Sequence, residues 1–188
     1  MSLFEYVIVL VSVVLSLGIA RILENHAHLL KLGPKVRWSP TYLLWLLIIF
    51  FSHVDLWASL WLIRDSDSWT LLSLLGVLLA AVALFYASIL SAPELEPGQS
   101  IDLWAFHMEN RRRYIGAAAL YLITGAILNT TVLVGHFDWA TVMMALPGLG
   151  LLLLAIFIRH RWLQIIIPVV FLGMMTVYFT AYFSTIQG

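Results

Sequence analysis

From Trp69 to Leu90 the chain reads WTLLSLLGVLLAAVALFYASIL, without one charged side chain. A helix built from this run is apolar all round, so it suits a hydrocarbon solvent better than a water-facing surface. Crossing roughly 30 Å of hydrocarbon takes about 20 residues. Six stretches reach that length: Leu3 to about Leu23, Thr41 to about Ile63, Trp69 to about Leu90, Tyr114 to about Val134, Trp139 to about Ile158, and Trp162 to about Thr185. They are continuously apolar rather than alternating, which disfavours a closed barrel. The expected fold is all-α, a polytopic six-transmembrane-helix bundle forming one domain over residues 1–188.

Composition narrows the function classes. Charged residues make up 11% of the chain, against about 25% for a soluble domain. A soluble enzyme, a disordered chain, a collagen and a basic nucleic-acid binder are excluded, so nucleic acid is not an expected partner. There is no cysteine, hence no disulfide framework, thiolate nucleophile or iron–sulfur ligand set. The start, MSLFE, lacks the positive region of a signal peptide, so the first segment reads as a retained helix.

Basic residues set the orientation. The connection after the first segment holds Arg21 at its rim, Lys31, Lys35 and Arg37. Arg111, Arg112 and Arg113 precede the fourth segment, and Arg159 and Arg161 join the fifth to the sixth. Nine lie on one side and only Arg64 on the other. The positive-inside rule then puts both termini outside. A bacterial inner membrane with periplasmic termini is the expected setting. Trp38, Trp104 and Trp162 fall at the inner rim and Trp61, Trp69 and Trp139 at the outer rim, as in interfacial aromatic belts. Residues 100–112, SIDLWAFHMENRR, suggest a short helix lying on the inner surface, capped by Ser100, or an entry ramp to the fourth segment.

The sharpest functional candidates are His53 and Asp55, inside the second segment. Polar groups at such depth are expensive and usually face a bundle interior or water. Two residues apart, they point about 200° from each other around a helix. Either they tie helices together by hydrogen bonds, or they form a proton, ion or solute site, with Asp55 as acceptor and His53 as relay. Glu5, Asn129, His136 and Asp138 are candidate outer partners, with Thr130, Thr131, Tyr178, Thr180 and Tyr182 nearby. A second polar group belongs to the inner rim: Arg21, Glu24, Asn25, His26 and His28, with His107, Glu109, Asn110, Arg111, Arg112 and Arg113, and Arg159 and His160 at the same depth. It is either snorkelling and lipid-phosphate contact, or an anion site or gate closed by ion pairs of Arg21, Glu24 and Glu109. No cofactor is indicated: the spacing supports neither a metal site nor a haem. Whether a metal binds is left open.

Ser12, Ser16 and Ala20 share one helix face, and Gly76, Ala80, Ala83 and Ala87 another. Both stripes read as close helix packing, within a protomer or between protomers. Pro147 with Gly148 and Pro168 with Gly173 mark kinks, hinges or broken helices.

FEYVIVLVSVVLSLGIARIL and DLWAFHMENRRRY, together about a fifth of the chain, resemble segments of small uncharacterised multi-pass membrane proteins of proteobacteria. That resemblance implies a bacterial membrane origin and transfers no site residue. The function expected from the residues is a channel, transporter or sensor for a proton, ion or small solute. The alternative is a non-catalytic membrane module assembling with itself or a partner protein. A lipid-active enzyme or lipid sensor, using His107 and Glu109, is third. Membrane lipids, further copies of the chain and a second membrane protein are the expected partners.

Overall fold

The structure, a computed structural model, describes residues 3–62, 64, 69–94, 99–129 and 139–183. Among them are six α-helices: α1 (Leu3–Leu32), α2 (Pro40–Leu62), α3 (Leu71–Leu90), α4 (Leu103–Leu128), α5 (Trp139–Phe157) and α6 (Arg161–Phe183). The two-residue strands β1 (Val36–Arg37) and β2 (Ile101–Asp102) pair in parallel. Helices α1, α2, α3 and α6 are long and apolar enough to cross a membrane. Large apolar side chains cover the outside, with Leu72 77% and Val177 68% exposed. That is the surface expected where lipid replaces water.

α1 runs nine residues further than the sequence suggests. Residues 24–32 contain no glycine or proline, and Ile22, Asn25 and Leu29 carry the buried face onward at three- and four-residue spacing. The helix is therefore about 45 Å long at 1.5 Å per residue. Gly33 ends the run with a φ of 56°, a left-handed conformation that glycine adopts without steric cost. Pro34 follows within a single 3-10 turn.

Of the two readings of residues 100–112, the structure has the entry ramp to the fourth segment and not a separate surface helix. α4 starts at Leu103 and continues unbroken to Leu128. Its cap is Asp102, not Ser100: Oδ1 accepts the backbone N–H groups of Trp104 (2.9 Å) and Ala105 (3.1 Å). Asp102 Oδ2 also receives Arg37 Nη1 at 3.0 Å, beside the strand pairing of Arg37 with Asp102. The Ala105 and Trp104 amides, with the nearby Arg37 charge, hold the Asp102 carboxyl below the usual carboxylate range against a smaller opposing effect of burial. The reason α4 stays whole is its buried face. His107, Arg111, Tyr114, Ala118 and Tyr121 recur at spacings of four, three, four and three and are all buried.

α3 packs between α1 and α4, while α2 touches α1, α3, α4 and α6, and α5 joins α4 to α6. One core cluster gathers Leu29, Tyr42, Trp45, Ile49, Tyr114 and Leu152; a second gathers Val11, Leu56, Leu60, Ala80, Leu84 and Tyr121. The α3 small-residue stripe works inside the protomer: Ala80, Ala83 and Ala87 are buried, and Gly76 lies against Leu128. The α1 stripe does not. Val7, Val11, Leu15 and Gly18 form the packed face, and Ser12, Ser16 and Ala20 line a shallow outward groove. α5 and α6 remain helical through Pro147 and Pro168, so neither is a broken helix.

The basic connections meet at one end. Arg37 pairs with Asp102, Arg161 lies 5.7 Å from the Trp104 ring, and Arg111 reaches the end of α5. Arg64 lies at the opposite end of α2, over Trp61.

Candidate functional site

Polar groups are stacked in the bundle interior at three levels, each joining a different set of helices. His53, Asp55 and Tyr121 form the level nearest the C-terminal end of α2. Asp55 is seven residues before Leu62, or about 10 Å from that end. The Tyr121 hydroxyl donates to Asp55 Oδ2, and the other oxygen, Oδ1, is buried with no partner. His53 points the other way, as the 200° offset requires. Its Nδ1–H donates to Ile49 O at 2.8 Å. Nε2 is then the acceptor of a neutral ring and lies 3.4 Å from Ser88 Oγ. Ser88 has one hydroxyl hydrogen, and Leu84 O at 3.1 Å also accepts it. His53 is fully buried, in space left by Gly18: a Cβ there would lie 2.3 Å from Nε2.

The middle level joins α1, α2 and α3. Asn25 Nδ2 donates to Tyr42 Oη at 2.9 Å, and the Tyr42 hydroxyl donates to Ser91 O at 2.9 Å. Ser91 Oγ in turn donates to Ser88 O at 2.9 Å.

At the basic end the chain of donors has one direction. Gln164 Oε1 can only accept, so His107 Nε2–H donates to it at 2.9 Å. His107 Nδ1 therefore accepts the Tyr114 hydroxyl. Gln164 Nε2 donates onward to the Ala155 and Ile158 carbonyls at the end of α5. Arg111 Nε donates to Ala155 O at 3.2 Å and Nη1 to Met108 O, while Nη2 is buried and unpartnered. The donors to Ala155 O and Ile158 O fill carbonyls at the end of α5 that a helix C-terminus otherwise leaves open, and the positive charge suits the negative end of the α5 dipole.

Of the outer candidates, His53 and Asp55 share a level but no contact. Glu5 lies on the exposed side of α1. Asn129 follows α4, its backbone N–H donating to Ala126 O and Gly125 O. His136 and Asp138, with Thr130, Thr131 and Tyr182, lie outside the residues whose side chains are described. The inner candidates divide. His107 and Arg111 are buried, whereas Glu109, Arg112 and Arg113 are exposed. Arg21 pairs with Glu24 at 3.3 Å, but both belong to α1. Among the described residues Glu109 joins no ion pair, so the expected Arg21–Glu24–Glu109 gate does not assemble. The His26 ring is 5.7 Å from the Trp38 ring.

Tyr121, Tyr114, Gln164, Ser88 and Tyr42 are the partners that sequence reasoning passes over, whereas Asn25 belongs to the expected inner-rim group. A signal for three of the α4 groups exists: His107, Tyr114 and Tyr121 are spaced by sevens. Dividing residues 100–112 from the fourth segment hides it.

The fold thus defines an all-helical protein with four helices capable of crossing a membrane and a polar interior. No protein-family model, characterised protein or solved structure matches the chain.

Proposed function

We propose that the chain is an integral membrane protein that takes up a proton inside the bundle, to sense or to move it. In this reading all six helices cross a bacterial inner membrane, with the basic end cytoplasmic and both termini periplasmic. The excess of Lys and Arg at one end supports that orientation. The chain has no native cysteine, so single cysteines replacing Arg64 and Arg113 are expected to react with an impermeant label from opposite sides.

The observation that carries the proposal is Asp55. A carboxyl group within a bundle coated by apolar side chains is a functional candidate by its cost alone. Here one oxygen is already oriented by the Tyr121 hydroxyl and the other is unfilled. A proton adds at Oδ1 and the Tyr121 bond to Oδ2 persists. His53 Nε2 is a second acceptor on the opposite face of α2, beside Ser88.

The test is proton flux in proteoliposomes under an imposed potential. The wild type is expected to conduct and Asp55→Asn to be silent. The Asn amide can still accept from Tyr121, so the fold should persist. Equal flux in the two proteins would overturn the reading.

A second reading, a module that assembles with itself or a partner, is favoured by the groove of Ser12, Ser16 and Ala20 facing outward. Small residues on an outer face let another helix approach closely. Its test is cross-linking of cysteines placed at Ser12 and Ser16 in native membranes.

A further inference from the structure

We infer that the basic end carries a binding site for a phosphate-type anion, built on Arg111, Arg112 and Arg159. This does not depend on proton uptake at Asp55. Arg111 is 2% exposed, and a buried guanidinium costs several kcal/mol unless it is paired and fully hydrogen-bonded. Pairing is incomplete here. Two carbonyls accept from Nε and Nη1, and Nη2 has no acceptor. The α5 C-terminus offsets only about half a charge.

The surroundings add positive charge rather than cancel it. Arg112 follows Arg111 directly in α4, Arg159 comes four residues after Ala155, whose carbonyl accepts from Arg111 Nε, and both are exposed. Arg21 pairs with Glu24 and Arg37 with Asp102, and among the described residues no carboxylate pairs with Arg111, Arg112 or Arg159. Arginines gathered at one helix end with no described counter-charge suit an external anion. Phosphate fits best, because the planar guanidinium fork grips two of its oxygens at once. The anion sits on the exposed Arg112 and Arg159, with the buried Arg111 as the fixed charge behind them.

The same chemistry has two sources, an anionic phospholipid headgroup and free phosphate. Trp162 is 67% exposed and Arg161 lies over Trp104 at this end. That is the aromatic and basic mixture found at headgroup depth, and it favours the lipid.

The experiment compares thermal unfolding of the full chain in nanodiscs of phosphatidylcholine with and without phosphatidylglycerol. A parallel titration adds inorganic phosphate to the detergent-solubilised protein, against sodium chloride of equal ionic strength. The wild type is expected to be stabilised by phosphatidylglycerol. The double variant Arg112→Gln/Arg159→Gln should lose that stabilisation, with at least about a tenfold weaker apparent affinity. Both positions are exposed, so the fold is retained. Lys31→Gln/Lys35→Gln removes two charges elsewhere on the same end and should respond as the wild type does. Stabilisation by inorganic phosphate, lost in the same double variant, would assign the site to the free anion. The proposal is overturned if neither anion stabilises the wild type. It is equally overturned if the arginine variant responds as the wild type does, or if the lysine variant loses as much.

Discussion

Gly18 of α1 and His53 of α2 are in direct contact, so close that a methyl group at position 18 would lie 2.3 Å from Nε2 of the ring. The approach sets how α1 lies on α2 and locks the imidazole against Ser88. Gly18→Ala should destabilise the bundle by about 1–3 kcal/mol, the usual range for overpacking. His53→Ala removes the obstructing ring, so in the double variant the Gly18→Ala penalty should largely vanish. A double-mutant cycle by unfolding in detergent reads this as coupling on the order of 1 kcal/mol or more. Additive effects would show that α1 and the ring do not meet.

Asp102 predicts a pH response confined to the basic end. Its carboxyl is held low by the Ala105 and Trp104 amides and by Arg37. A depressed folded value means the stabilisation is fully present above the unfolded value of 3.8. It is lost as pH falls through the lower folded value. The amide NMR signals of Trp104 and Ala105 should therefore move on acidification below about pH 4. In Asp102→Asn, which keeps an accepting oxygen but cannot titrate, they should stay still. Asp102→Ala should cost about 1 kcal/mol through the lost cap.

Gln164 links α6 to both α4 and α5, since it accepts from His107 and donates to the Ala155 and Ile158 carbonyls. Gln164→Leu leaves His107 Nε2–H without its acceptor and uncovers the Ile158 carbonyl. About 1–3 kcal/mol per stranded group is expected, measured as a lower unfolding midpoint in detergent. Gln164→Glu restores an acceptor for His107 but not the donor, so its midpoint should fall between the two.

How much of this was legible in the sequence depends on which signal each residue carries. Apolar runs reveal α2 and α3 well, because Pro40 and the Thr70 cap mark their starts. The end of α1 was hidden because Glu24, Asn25, His26 and His28 look like a loop; only Asn25 of these is buried. α4 was divided for a related reason. Arg111, Arg112 and Arg113 read as a surface patch, yet the helical turn sends Arg111 inward and its neighbours outward. Long-range partners such as Tyr121 for Asp55 and Gln164 for His107 are 66 and 57 residues away. No local pattern encodes such pairs; the packing of α2 on α4, and of both α4 and α6 on α5, creates them. The opposed directions of His53 and Asp55 did follow from sequence, since helix geometry alone fixes a two-residue offset.

The central claim is that Asp55 changes protonation while Tyr121 holds it in place. Infrared difference spectroscopy of the protein in lipid, stepped from high to low pH, reads this directly. The account predicts a carboxylic-acid carbonyl band that grows as pH falls, disappears in Asp55→Asn and shifts in Tyr121→Phe through loss of the hydroxyl donor. A band pattern identical in the wild type and Asp55→Asn across the whole titration would contradict it.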